Sequence, residues 1–120
     1  MIKKAEDLRV EYSPNLKDGK GTVKIINILE NKDNHGTGRL FGVSIIPVGG
    51  SIGKHQHVGD FETYYILKGK ALVNDNGQEQ ILGPGDMTHC NDGDYHSIEN
   101  IGDCDLEYIA VILYTKQKEQ

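Results

Sequence analysis

The chain is punctuated at short intervals by residues that let a backbone reverse: Asn31 to Gly38, Gly49-Gly50, Asp75-Asn76-Gly77, Gly83-Pro84-Gly85 and Asp92-Gly93. Glycine and asparagine accept positive φ, and aspartate bonds its own backbone, so each cluster is a place where an extended segment can turn back. Between the clusters stand runs rich in Val, Ile and Tyr: Val23 to Leu29, Leu40 to Pro47, Ser51 to His57, Glu62 to Leu67, Lys70 to Asn74, Glu79 to Leu82, Met87 to Cys90, His96 to Asn100 and Leu106 to Tyr114. Runs of this length and composition read as strands. Many short strands joined by tight turns predict an all-β barrel or sandwich. The segment Ala5 to Tyr12 reads equally as a short helix or an added edge strand, and the polar stretch Lys116 to Gln120 as a frayed end.

A length of 120 residues suits one domain, 1–120, and leaves no room for two substantial ones. The net charge of -5 and the pI near 5.4 disfavour a phosphate-backbone ligand, which calls for clustered Lys and Arg, so no nucleic-acid partner is expected. The two cysteines, Cys90 and Cys104, are too few for a disulfide scaffold and fit a reducing compartment. No stretch approaches the roughly 20 apolar residues of a membrane span, and the basic start lacks a following apolar run. The expectation is a soluble, cytoplasmic protein with no membrane partner.

Chemistry concentrates in two places. His55 and His57 are two residues apart on an expected strand, so both imidazoles point to one face. Such a pair is common on exposed strands and does not by itself indicate a metal. After the reversal Val58-Gly59-Asp60-Phe61, Glu62 heads the next strand. A carboxylate returned beside two imidazoles and partly buried there is costly unless it meets a cation or good donors. Pairing with Lys54 at a strand end is the alternative partner for Glu62.

Gly49, His55, His57, Glu62 and Gly69 match the first motif of the cupin superfamily, G-x5-H-x-H-x4-E-x6-G, at every signature position, within residues 49–69. Gly85, Asn91, Gly93, His96 and Asn100 follow the second motif, G-x5-P-x-G-x2-H-x3-N, within residues 85–100. Asn91 stands where that motif has proline. The chain thus resembles a small single-domain microbial cupin, with a short spacer between Gly69 and Gly85. The resemblance implies a jelly-roll double-stranded β-helix in which His55, His57, Glu62 and His96 hold one divalent metal ion. Three imidazoles and a carboxylate suit Mn, Fe, Co, Ni or Zn, and an octahedral ion so held keeps two positions open for water or a small ligand.

Further candidates have two readings each. His89, on the run entering the second motif, is a catalytic hydrogen-bonder if it points inward and a wall residue if it does not. Arg39, at the start of an apolar strand, either clamps a substrate carboxylate or phosphate or is solvated. Tyr64 shares alternation with Glu62 and lines the pocket or packs in the barrel; Tyr95, beside His96, sits at the expected pocket mouth. Cys90 reads as a small core residue, and His35 as an exposed loop residue. The resulting expectation is a metal-binding cupin that binds or acts on a small polar metabolite, a carboxylate or sugar derivative. Oxygenase, isomerase and lyase chemistry are all open to it, and the alternative is a non-catalytic binding or sensing module. A homodimer is expected because both alternating faces of Tyr64 to Leu67 and of Ile109 to Leu113 are apolar.

Overall fold

The computed structural model describes residues 1–116; the last four positions of the expected frayed tail lie outside the described residues. Among the described residues, ten strands form two antiparallel sheets. They are β1 (Val10–Pro14), β2 (Thr22–Asn27), β3 (Gly38–Ile46), β4 (Ser51–Gln56), β5 (Asp60–Lys68), β6 (Ala71–Asp75), β7 (Gln78–Leu82), β8 (Met87–Cys90), β9 (Tyr95–Asn100) and β10 (Leu106–Tyr114). The larger sheet runs β1-β2-β3-β10-β5-β8 and the smaller β4-β9-β6-β7. Facing each other, they make the two layers of a jelly-roll barrel, as the turn spacing predicts.

The N-terminal segment is both of the things its sequence suggested. A single 3-10 turn covers Ala5–Asp7, and the chain then extends as β1 along β2 at the edge of the larger sheet. The other strands lie within a few residues of their expected bounds. One shift matters: β5 begins at Asp60, two residues before Glu62, so the reversal after His57 is shorter than the sequence suggested. Asp60, Glu62, Tyr64 and Ile66 consequently share the buried face.

The interior divides along its length. Ile46, Ile52, Ile66, Val73, Ile98 and Leu106 are among the residues of a continuous apolar core. Beyond them the inward positions turn polar, with His57, Glu62 and His96 buried. The apolar part holds the two sheets together, and the polar part is where a ligand could sit.

Turn chemistry fixes the register. Asn76 and Gly77 both adopt positive φ, 51° and 94°, as the two-residue hairpin between β6 and β7 requires. Gly69 at φ 93° lets the chain pass the backbone of Asp105 and Leu106 so closely that a Cβ would come within 2.9 Å of the Asp105 carbonyl. Asn100 ties the far end of the barrel together. Its buried amide donates to the carbonyls of Ile46 and Cys104, each at 2.9 Å, and its oxygen accepts from the Gly102 amide at 2.9 Å. One side chain thus fixes β3, β9 and the turn into β10.

Removing those bonds leaves buried backbone groups without partners. Asn100→Ala is expected to lower unfolding free energy by roughly 2–4 kcal/mol in urea titrations while leaving the metal site able to form. A loss under about 0.5 kcal/mol would show that water replaces the amide at no cost.

Candidate metal centre

His55 and His57 belong to the end of β4 and the residue beyond it, His96 to β9, and Glu62 to β5 on the opposite sheet. Strict alternation along β4 would send His55 to the face opposite the buried Ile52. A β-bulge prevents this: Ile52 pairs with Ile98 and His55 with His96, so three steps on β4 match two on β9. Gly53 lies in the bulge, where a Cβ would collide with the carbonyl of Lys17 from the 3-10 turn Leu16–Asp18. The bulge resets the alternation, and Ile52, His55 and His57 all point inward.

The four side chains offer one ligand atom each, and these atoms lie within 4.8 Å of one another. His96 Nε2 is 3.0 Å from His55 Nε2 and 3.2 Å from His57 Nε2, and Glu62 Oε1 is 3.1 Å from the Nε2 atoms of both His57 and His96. Adjacent ligands at right angles around an ion, with bonds of about 2.1 Å, lie about 3.0 Å apart. The donor set therefore fits one divalent ion. When bound, such an ion acts as a Lewis acid and as a template for a ligand at its remaining positions.

The surroundings fix which nitrogen of two of the histidines faces the centre. His57 Nδ1 donates to Asp60 Oδ1 at 2.7 Å and His55 Nδ1 donates to the Gly53 carbonyl at 2.8 Å, so each ring turns its Nε2 toward the centre. Asp60 is itself held by Arg39, whose Nε donates to Oδ2 at 2.8 Å. The His96 ring is stacked on Tyr64, with centroids 5.2 Å apart at 19°. Burial alone would raise the Glu62 carboxyl, but hydrogen bonds from His57 and His96 outweigh it and bring the pKa down to about 2. Glu62 is thus ionised at neutral pH. The His57 imidazole is shifted upward, chiefly by Glu62, and that of His55 downward, chiefly by burial.

The second motif supports the first. The Gly93 amide donates to the His57 carbonyl at 2.7 Å, and the His57 amide donates to the Asp94 carbonyl at 3.1 Å. Asp94 closes its own turn on Asn91 O at 3.0 Å. Asp92 accepts from the Gly59 amide at 2.9 Å and from Thr115 Oγ1 at 2.6 Å. The turn is therefore well anchored with Asn91 in the proline position.

The remaining candidates separate. Arg39 and Tyr64 line a cavity of about 360 Å³ that is also lined by His55, His57 and Glu62 of the cluster, together with Tyr108, Ser44 and Glu11. Tyr95 does not border it; its ring lies 42% exposed beneath Lys54 Nζ, 5.2 Å from the centroid, so Lys54 is drawn to Tyr95 and Glu62 to the imidazoles. His89 faces away. Because Glu62 pairs with Cys90 and Tyr64 with Thr88, the inward residues of β8 are Thr88 and Cys90, and His89 instead meets Thr63 Oγ1 at 2.7 Å on the outer face. Burial, the largest influence, pushes the Cys90 thiol up to about 12, as befits a core residue. His35 is exposed and is not one of the cluster residues.

Sequence reasoning passed over Asp60 and Tyr108. Asp60 lay in what looked like a turn, although its alternation with Glu62 was a usable signal. Tyr108 lay within an apolar run where nothing marked it out.

These features define a jelly-roll barrel with a three-histidine, one-carboxylate donor cluster in its interior. The cupin-domain family model matches residues 42–112, and the chain belongs to that family. A Thermotoga maritima protein named oxalate-binding protein is 39% identical over 113 residues, 94% of this chain and 93% of that one. The crystal structure of a predicted oxalate decarboxylase from Thermotoga maritima superposes with a TM-score of 0.90 at 38% identity, covering 95% of this chain and 99% of that one. A Thermus thermophilus protein shares the fold, with a TM-score of 0.71 at 21% identity over 94% of this chain and 96% of that one.

His96→Ala is expected to abolish most metal uptake, measured by elemental analysis after loading and desalting, while circular dichroism retains the β-sheet signal. His35→Ala should take up as much metal as the unaltered protein. Full metal content in the His96 variant would refute the donor assignment.

Proposed function

We propose that the protein binds one divalent transition metal through His55, His57, Glu62 and His96 and uses it to capture a small carboxylate of the oxalate type. The observation that carries this reading is that three of the four cluster residues, His55, His57 and Glu62, line one cavity with Arg39. Only Nε of Arg39 is engaged, with Asp60; among the described residues its terminal nitrogens make no hydrogen bond. Guanidinium groups suit carboxylate oxygens. The resident ion supplies a Lewis-acid anchor for an oxygen ligand. The name of the Thermotoga maritima relative supports oxalate as the ligand to try first.

Binding is favoured over turnover by the cavity's acids. Apart from Glu62, the cavity-lining carboxylate among the described residues is Glu11, which is paired with Arg9 and accepts from Asn27 Nδ2 at 3.1 Å. Neither group is a free proton donor beside the cluster. Mn²⁺-loaded protein is expected to bind oxalate in titration calorimetry with one site per chain, and protein stripped of metal is expected to bind it at least about a hundredfold more weakly. Equal affinity with and without metal would refute metal-mediated capture. Release of carbon dioxide from oxalate would move the assignment to a lyase.

We also propose that the protein is a homodimer. On the outer face of the larger sheet, Tyr65, Leu67 and Met87 are 46%, 44% and 55% exposed, beside half-buried Ile109 and Val111. Burying that face against a second copy would remove apolar surface from water. Light scattering at micromolar concentration should give twice the chain mass; a monomer would refute the dimer.

A further inference from the structure

Tyr108 carries a buried polar atom that apolar packing does not explain. Its side chain is fully buried, yet its Oη has no hydrogen-bond partner. The hydroxyls of Ser44 and Tyr64 lie near enough to interact with it, but neither meets it in full hydrogen-bond geometry. A phenol is both donor and acceptor, and burying one unpaired opposes folding. Phenylalanine would fill the same space without that cost, so the oxygen needs another explanation.

Its location supplies one. On the inner face of the larger sheet, Tyr108 lies level with Ser44 and Ile66, and the next level toward Glu62 is made of Gly42, Ala110 and Tyr64. The cavity lined by His55, His57 and Glu62 extends to Ser44, Tyr64 and Tyr108. The Tyr64 ring spans the two regions, stacked on His96 and with its centroid 4.5 Å from that of Tyr108. The cavity therefore has His55, His57, Glu62 and Arg39 in one part and the hydroxyls of Ser44, Tyr64 and Tyr108 in another.

We propose that Tyr108 Oη donates a hydrogen bond to a ligand oxygen that is not bound to the metal, and so selects ligands carrying a second oxygenated carbon over simple monocarboxylates. Oxalate chelating an ion through one oxygen of each carboxylate presents two outer oxygens for such a donor. Acetate presents a methyl group there. Tyr108 is in this sense a specificity-determining residue, and the inference rests on the metal-mediated capture proposed above.

The test compares Mn²⁺-loaded unaltered protein with Tyr108→Phe, titrated with oxalate and with acetate. The variant is expected to lose about tenfold or more in oxalate affinity, the usual scale of a hydrogen bond to a charged group. Its metal stoichiometry and acetate affinity should be unchanged, and the Tm of its metal-free form should be equal or higher, because an unpaired buried oxygen has been removed. Undiminished oxalate affinity would overturn the role of Tyr108, as would an equal loss for acetate or a lowered metal-free Tm, which would mark a structural residue. Unaltered protein that fails to bind oxalate at all would overturn the capture reading and this inference with it, and that failure is visible before any variant is made.

Discussion

Three imidazoles and a carboxylate do not enter an apolar barrel singly, since each would forfeit its water without compensation. They are tolerated because they face one another. The Glu62 carboxylate meets His57 and His96 Nε2 at 3.1 Å, and those contacts outweigh the burial that would otherwise neutralise it. The mutual arrangement depends on both sheets at once, because Glu62 comes from the larger and the histidines from the smaller or from just beyond its β4 strand. Separating the sheets would leave a buried anion facing nothing. The polar cluster and the apolar core below it therefore oppose the same opening motion for different physical reasons.

The outer contacts explain how the cluster keeps a single geometry. Imidazole rings rotate unless their second nitrogen is held. Asp60 and the Gly53 carbonyl hold two of them, and Arg39 in turn holds Asp60. The backbone of His57 is fixed on both sides by the turn of Gly93 and Asp94. Proline at position 91 would restrict that turn through φ; here the same restriction comes from hydrogen bonds by Asp92 and Asp94. A departure from a motif at one residue is thus compatible with the motif's geometry when neighbouring groups supply the constraint.

Much of this was legible in the sequence, and the failures are local. Gly and Asn clusters marked the turns correctly because positive φ is a property of the residue, as Asn76-Gly77 illustrates. The four side chains that the structure brings together are the ones that the family resemblance implies. His89 did not, because which face a short strand presents depends on its register with β5, and Met87 to Cys90 is too short for alternation to decide. The bulge at Gly53 was hidden for a similar reason. Period-two reasoning assumes an unbroken strand, and along an unbroken β4 Ile52 and His55 would face opposite ways. Tyr108 could not be singled out, since an unpaired hydroxyl is defined by what lies around it in three dimensions.

The inward residues also divide their labour between the sheets. The candidate metal donors occupy β4, its continuation and β9, with Glu62 the single contribution of the larger sheet. The inner faces of β3 and β10 contribute Leu40, Ser44, Tyr108 and Ile112 to the same cavity without contributing a donor. Substitutions on β3 and β10 can therefore reshape what the cavity accepts while the donor cluster, its orienting carboxylate and its anchoring turn stay intact. A barrel built in this way can exchange ligands without rebuilding its metal site, which is the physical basis on which one fold serves many functions.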